Sequence, residues 1–369
     1  MSSSKHFKVV AVLAASAIFT LAGCSAGGGG TTSGGDVDIS KAQQVIKEAS
    51  AEDTSFTFPK DSVEAAKGLS VVAIPCAYAA EGCKRTVDGI QDASKELGWN
   101  YKMIDPAGDP EKMREGIRTA IQLKVDAIFL AAVPPEVAKD DVAAAQAAGI
   151  TVINTLEVAP EGFADATVES DRVLQGKWAA AFLTVATKGE GKIVLLNDPE
   201  FSSIVAEHKG VTEGLKEYCP KCKVVKDSSF QIANLQTEMP TEFQATLTAN
   251  PDVNAVWGAY DPVAAAILPV IDRSDRSDSI TVVSHNGDAF ALKDIKADKK
   301  AFKATLGFSD EWIAFAAVDQ LLRIKAGTIT DEERRVIVPS KLLTADNITD
   351  IPWLGDSDWR SAYLELWGK

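Results

Sequence analysis

The chain has 369 residues, 46% of them hydrophobic and 24% charged, the balance of an ordinary globular protein. That is enough apolar surface to bury a large core, which excludes fibrous and fully disordered chains, and the length suggests about two domains of roughly 150 residues each. With 38 Lys and Arg against 52 Asp and Glu, a net charge of -14, the chain would repel a phosphate backbone, so nucleic acid is not an expected partner.

The opening residues carry Lys5 and Lys8 and no acid, and Val9 to Leu21 is apolar apart from Ser16 and Thr20. These are the basic and apolar regions of a secretory signal, residues 1–23. The apolar run is shorter than the roughly 20 residues that span a bilayer. Leu21-Ala22-Gly23-Cys24 resembles the lipobox of bacterial lipoproteins. That resemblance implies cleavage before Cys24, lipid on Cys24 and an extracytoplasmic location at the bacterial cell membrane. The alternative is an ordinary secretory signal with a chance cysteine. Residues 24–39 are rich in Gly, Ser and Thr and read as a flexible tether. Residues 40–68 form a polar extension with one or two short helices.

Four further cysteines remain: Cys76, Cys83, Cys219 and Cys222. An even number in an exported chain suggests disulfides, with three possible connectivities, and sequence neighbours favour Cys76–Cys83 and Cys219–Cys222. Cys219-Pro220-Lys221-Cys222 could also be a redox dithiol or half a zinc site. It lies between a helical run (Val211 to Tyr218) and a strand-like run (Lys223 to Lys226), and no second CxxC accompanies it. A structural clip on a turn is the favoured reading.

From Leu69 the pattern alternates. Apolar runs of strand length occur at Leu69–Ile74, Ala127–Ala132, Thr151–Asn154, Lys192–Leu196, Val253–Gly258, Ile280–Ser284 and Ala304–Gly307. Helical stretches lie at Lys84–Leu97, Pro110–Leu123, Glu136–Ala148, Val173–Lys188, Pro240–Ala249 and Glu311–Lys325, with apolar stripes such as Val87, Ile90, Ala93 and Leu97. Continuous apolar strands separated by amphipathic helices imply parallel sheets covered on both faces. There are too many units for one doubly wound sheet, so two α/β lobes are expected. No GxGxxG or GxxxxGK[ST] loop follows a strand, so no nucleotide cofactor is expected.

Val125-Asp126-Ala127-Ile128-Phe129-Leu130, then Pro134 to Ala148, then Gly149-Ile150-Thr151-Val152-Ile153 resemble the ribose-type periplasmic sugar-binding proteins. Ala93 to Gly98, Glu169-Ser170-Asp171, Asn250 to Val256 and Tyr260-Asp261 agree in order and spacing, over about residues 69–340. The resemblance implies two doubly wound, Rossmann-like α/β lobes joined by a three-strand hinge, with crossings near Ser170–Asp171, Phe308 and Val338. The N-terminal lobe would be 69–170 plus 309–338, and the C-terminal lobe 171–308 plus 339–369. It also implies a ligand cleft between the lobes and closure on binding. The last thirty residues resemble no named block.

Carried over residue by residue, the resemblance gives a candidate ligand set. In the loop after the first strand, Tyr78 and Glu81 are the large polar candidates; Tyr78 is either a stacking ring or a surface aromatic. The family's Asp-Arg pair after the fourth strand is Leu156-Glu157 here, with Asn154 nearby, and the missing arginine argues against pentose recognition. Lys209 falls at the family's arginine in the second lobe, as a point donor without a planar fork. Asn234, Tyr260, Asp261, Asn286 and Phe308 complete the set. Asp261 is either a ligand acceptor or the cap of the helix that begins with Pro262. Amides, aromatics and few guanidinium groups suit a neutral polyhydroxylated ligand.

Beyond the signal only His208 and His285 occur, which do not make a metal site, and no GxSxG elbow is present. The expected function is a monomeric substrate-binding lipoprotein of an ABC importer, not an enzyme. It would bind a sugar, polyol or similar solute and deliver it to a permease. A receptor of the same fold feeding a membrane sensor is the first alternative, and an exported enzyme on a small polar substrate the second.

Overall fold

The computed structural model describes residues 37–53, 55–298 and 301–369. The signal segment, Cys24 and most of the 24–39 tether lie outside the described residues. The polar extension forms one helix, α1 (Ser40–Ala49). Then come β1 (Ser70–Pro75), α2 (Glu81–Leu97), β2 (Asn100–Met103), α3 (Pro110–Leu123), β3 (Ala127–Ala131), α4 (Pro135–Ala147), β4 (Thr151–Thr155) and β5 (Ala166–Glu169). The central strands are buried almost throughout, as strands covered by helices on both faces must be. Local chemistry sets the helix ends. Asp109 accepts from the Glu111 and Lys112 amides, with Pro110 in the first turn of α3, and Gly98 ends α2 in the left-handed region, where glycine carries no steric penalty.

The second half repeats the plan. α5 (Arg172–Ala186), β6 (Lys192–Asn197), α6 (Ser202–Tyr218), β7 (Lys223–Ser229), α7 (Met239–Ala249), β8 (Ala255–Gly258), α8 (Asp261–Arg273), β9 (Thr281–Asn286), α9 (Ala289–Lys296) and β10 (Phe302–Phe308) precede α10 (Asp310–Ala326), β11 (Arg335–Ile337), β12 (Ser340–Thr344) and α11 (Trp359–Leu366). Among the described residues there are two six-stranded sheets, in the orders β11-β5-β4-β3-β1-β2 and β12-β10-β9-β8-β6-β7. Every pairing is parallel except β10 with β12. Helices α5 and α6 cross at backbone contact distance: a Cβ on Gly176 would lie 2.1 Å from the Glu207 carbonyl oxygen, and one on Gly210 2.1 Å from that of Val173.

The expected pair of doubly wound α/β lobes is therefore present. The chain passes between sheets at Glu169–Arg172, Phe308–Asp310 and Val338–Ser340. One expectation needs correction. The C-terminal residues 339–369 do not all join the second lobe. β12 does, but Trp359, Tyr363 and Trp367 pack with Trp312 and Phe315 of α10 in the first-lobe core. The extension 40–68 also divides, because α1 packs on α5 and β12 while Phe56 and Phe58 lie on Trp312. The two segments meet where Asp356 accepts from the Asp53 amide and from Lys341 Nζ. Apolar demand decides both paths, since each aromatic goes to the nearest uncovered helix face.

Candidate functional site

In each sheet the strand order reverses beside the first strand of its lobe, at β1/β3 and at β6/β8. Loops leaving the carboxyl ends of those strands diverge there and leave a crevice. The two crevices face each other and enclose a cavity of about 400 Å³. The first lobe contributes the Cys76–Cys83 loop, Leu156, Glu157 and Asp310. The second contributes Phe201, Ser203, Tyr260, Asn286 and Asp288. Arg172 and Phe308, at two of the crossings, complete the wall.

Two glutamates of the first lobe reach across the cleft to cap second-lobe helices. Glu157, fully buried, accepts from the Ser203 amide (3.1 Å) and Ser203 Oγ (2.8 Å), and from Ser202 Oγ. Helix α6 has no capping side chain of its own. Burial pushes the Glu157 carboxyl above the ordinary range, against these hydrogen bonds. Glu81 accepts from the Ala289 amide at 2.7 Å, at the start of α9, which also lacks its own cap. These carboxylates complement the orphan N–H groups and the dipole of each helix.

Arg172 forms a buried ion pair with Glu207 at 2.9 Å, donates to the Leu156 carbonyl at 3.2 Å and stacks 4.2 Å from the Phe308 ring centre. Burial pushes Glu207 up to about 8 despite that arginine. Behind it, Trp257 Nε1 donates to His285 Nε2 at 2.7 Å. That bond leaves the proton of a neutral ring on Nδ1, 3.5 Å from Glu207 Oε2. Burial holds His285 well below its ordinary pKa. Asp288 is buried, its Oδ1 has no hydrogen-bond partner among the described residues, and burial followed by the Asp261 charge pushes it well upward. Asp310, pushed up to about 7 by burial, faces Arg85 Nη1 at 3.3 Å. Asn286 holds φ of 109° and Gly287 φ of 75°, a left-handed pair that turns the chain from β9 into the cavity wall. A Cβ on Gly287 would meet Gly307 Cα at 3.0 Å.

Residues 71–329 match the family model described as the periplasmic binding protein domain. The chain belongs to this family. Among curated relatives of this periplasmic binding protein is the ribose import binding protein of Bacillus subtilis, 27% identical over 259 residues, covering 69% of this chain and 81% of that one. Solved structures with the same fold include a solute-binding protein from Burkholderia graminis in complex with D-arabinose (TM-score 0.71, 19% identity, 78% and 99% of the two chains). Another is the 5-methylthioribose transporter solute-binding protein from Thermotoga lettingae (TM-score 0.68, 20% identity, 82% and 94%).

Of the ten residues expected at the ligand site of this periplasmic binding protein, Glu81, Glu157, Tyr260, Asn286 and Phe308 line the cavity. Tyr260 also donates to Asp198 at 2.9 Å. Asn154 is buried beside it and donates to the Glu157 carbonyl, holding the loop after β4. Asp261 neither caps α8 nor reaches the cavity. Its carboxylate takes bonds from Ser284, Thr305 Oγ1 (2.7 Å) and the Asp288 amide (2.7 Å), bracing the turn after β9. Three more of the expected residues also lie outside the cavity wall. Tyr78 turns away from the cavity, its hydroxyl on Asp88. Lys209 is exposed and pairs with Glu213, because it sits two positions from the inward Glu207 and two helical steps rotate a side chain to the opposite face. Asn234 lies in a short turn whose neighbours Ile232, Leu235 and Gln236 line the cavity instead. The cavity wall carries few guanidinium groups, as expected, but the one it has, Arg172, was not among the expected residues. Its signal was its place directly after Glu169-Ser170-Asp171, at a crossing between lobes. Asp288 and Asp310 were also missed; each immediately follows a strand-end turn.

Proposed function

We propose that the chain is the extracytoplasmic solute-binding component of an ABC importer, taking a sugar, polyol or similar small solute in the cavity between its lobes. The carrying observation is that both topological switch points open onto one cavity walled by both lobes. A ligand touching both walls favours the closed arrangement through those added contacts. The relatives named for ribose, D-arabinose and 5-methylthioribose support a sugar-type solute. Glu81, Ser203, Tyr260, Asn286 and Phe308, joined by Arg172 and Asp288, are the proposed contacts. Aromatic faces and fixed donors and acceptors are the combination that orients a polyol. The family is one of binding proteins, and among the cavity carboxylates Glu81 and Glu157 serve helix termini and Asp310 faces an arginine. The reading includes two disulfides, at the paired Cys76–Cys83 (Cα atoms 6.3 Å apart) and Cys219–Cys222 (5.2 Å). It also includes a monomer tethered by lipid on Cys24. A thermal-shift screen over sugars and polyols tests binding, since ligand at 100 times Kd adds about 2.7 kcal/mol of stability; an unshifted protein across the screen refutes it. Cys24→Ser tests the anchor: release from the membrane fraction is expected, and unchanged fractionation with normal processing refutes it.

A further inference from the structure

The cavity is lined by four carboxyl groups, Glu81, Glu157, Asp288 and Asp310, against the single guanidinium of Arg172. Most of these are already committed. Glu157 takes three bonds from the start of α6, and Glu81 takes the Ala289 amide. Arg172 bonds Glu207 and the Leu156 carbonyl through its two terminal nitrogens and lays its face on Phe308, while its Nε has no partner among the described residues. Asp310 is shared with Arg85. Asp288 differs. It is 2% exposed, its Oδ1 has no partner among the described residues, and no cation pairs with it there. A buried carboxylate without a partner costs several kcal/mol in general, and native interiors rarely leave one so. The cavity it lines also carries the rings of Phe201 and Tyr260, besides Phe308 under Arg172; aromatic faces attract a cation rather than an anion.

We propose that the solute carries a cationic nitrogen, as in an aminosugar, iminosugar or aminopolyol, and that Asp288 is its counter-ion. The inference rests on the reading of the cavity as a sugar-type site. An ammonium beside Asp288 would supply the missing donor, with Asp310 and Glu81 adding acceptors on the same side. Binding would draw the proton off Asp288. The groups facing it are Asp261 of α8, Glu81 and Arg85 of α2, and Asp310 of α10. Three acids surround it with one arginine, which favours its protonated form in the empty site; the proton goes to solvent as the ammonium takes its place.

Matched pairs separate this from a neutral ligand: glucosamine with glucose, galactosamine with galactose, 1-amino-1-deoxysorbitol with sorbitol, and 1,4-dideoxy-1,4-imino-D-ribitol with ribose. Calorimetric titration should show at least one amine binding about tenfold or more tighter than its partner. Asp288→Asn should weaken that amine about 30-fold or more, as loss of one member of a buried charge pair does, and by more than it weakens the neutral partner. As a check independent of any variant, wild-type affinity for the amine should rise between pH 5.5 and 7.5. Neutral members binding as tightly as their amines would overturn the cationic inference and leave the sugar reading standing. Amine binding indifferent to both Asp288→Asn and pH would do the same. If no member of any pair binds, both the inference and the sugar reading fall.

Discussion

Removing the Glu157 carboxylate should loosen the closed arrangement without unfolding either lobe. Glu157 leaves the first lobe after β4 and satisfies Ser202 and Ser203 in the first turn of α6 on the other side of the cleft. An N-cap is worth about 1 kcal/mol, and hydrogen bonds to a charged group about 1.5–3 kcal/mol. Against this stands the cost of burying the carboxylate, which raises its pKa. The surplus comes to about 1–2 kcal/mol for the closed state, a factor of about 5–30 in the closed-to-open ratio. In the open state both partners are hydrated, so the loss falls on closure. Glu157→Ala should therefore broaden and lengthen the distance between spin labels on exposed Lys112 of α3 and Lys216 of α6. It should also weaken solute binding by about the same factor. Glu157→Gln, which keeps one acceptor, should lie between. Unchanged distances and affinity in Glu157→Ala would refute the cross-cleft cap as a source of closure energy.

Burial pushes Asp198 and Asp261 up to about 7 and Glu207 to about 8, while in the unfolded chain they titrate near 4. The native state then binds more protons between about pH 4 and 8, so stability falls as pH rises through that window. The ligand-free protein should melt hotter at about pH 5.5 than at pH 8, and the reverse order would contradict these burials. Gly210→Ala drives a methyl into the Val173 carbonyl at 2.1 Å and should lower stability in urea by about 1–3 kcal/mol or more; a loss under about 0.5 kcal/mol would show that α5 and α6 can part. Thiol counting on native exported protein should find no reactive cysteine among the four described. Reduction should weaken solute binding mainly through the Cys76–Cys83 loop, which lines the cavity. Four reactive thiols would end that expectation.

The buried strands were legible because β1, β3, β6 and β8 are nearly continuous apolar runs, and β4 and β9 carry the apolar pairs Val152-Ile153 and Val282-Val283. Pro110–Leu123 was legible to the residue, since Asp109 and Pro110 punctuate its start. β2, β5 and β11 escaped because they are short, with alternating or polar side chains such as Asn100-Tyr101-Lys102-Met103, and pairing rather than hydrophobicity makes them strands. β7 was seen only in part, because as an edge strand it is largely exposed. Among the candidate site residues, those fixed to strand ends fall in the cavity wall: Tyr260, Asn286 and Phe308 follow β8, end β9 and end β10. Residues on a helix or in a variable turn do not, because an error of one or two positions there reverses the face. Lys209 against Glu207 and Asn234 against Leu235 are both of this kind. Arg172 and Asp288 were hidden for a different reason. Their importance lies in what surrounds them, an ion pair in one case and the absence of one in the other.

The central claim is that solute binds between the lobes, against the turn after β9 and not on the outer face of α6. Calorimetric titration of the solute identified by the screen into wild type, Asn286→Gly and Lys209→Ala tests it most directly. Glycine keeps the left-handed backbone at 286 while deleting the amide. Asn286→Gly should weaken binding by about 1–3 kcal/mol, or about 5–150-fold, and Lys209→Ala should leave it unchanged. Full affinity in Asn286→Gly together with a large loss in Lys209→Ala would place the solute elsewhere on the molecule.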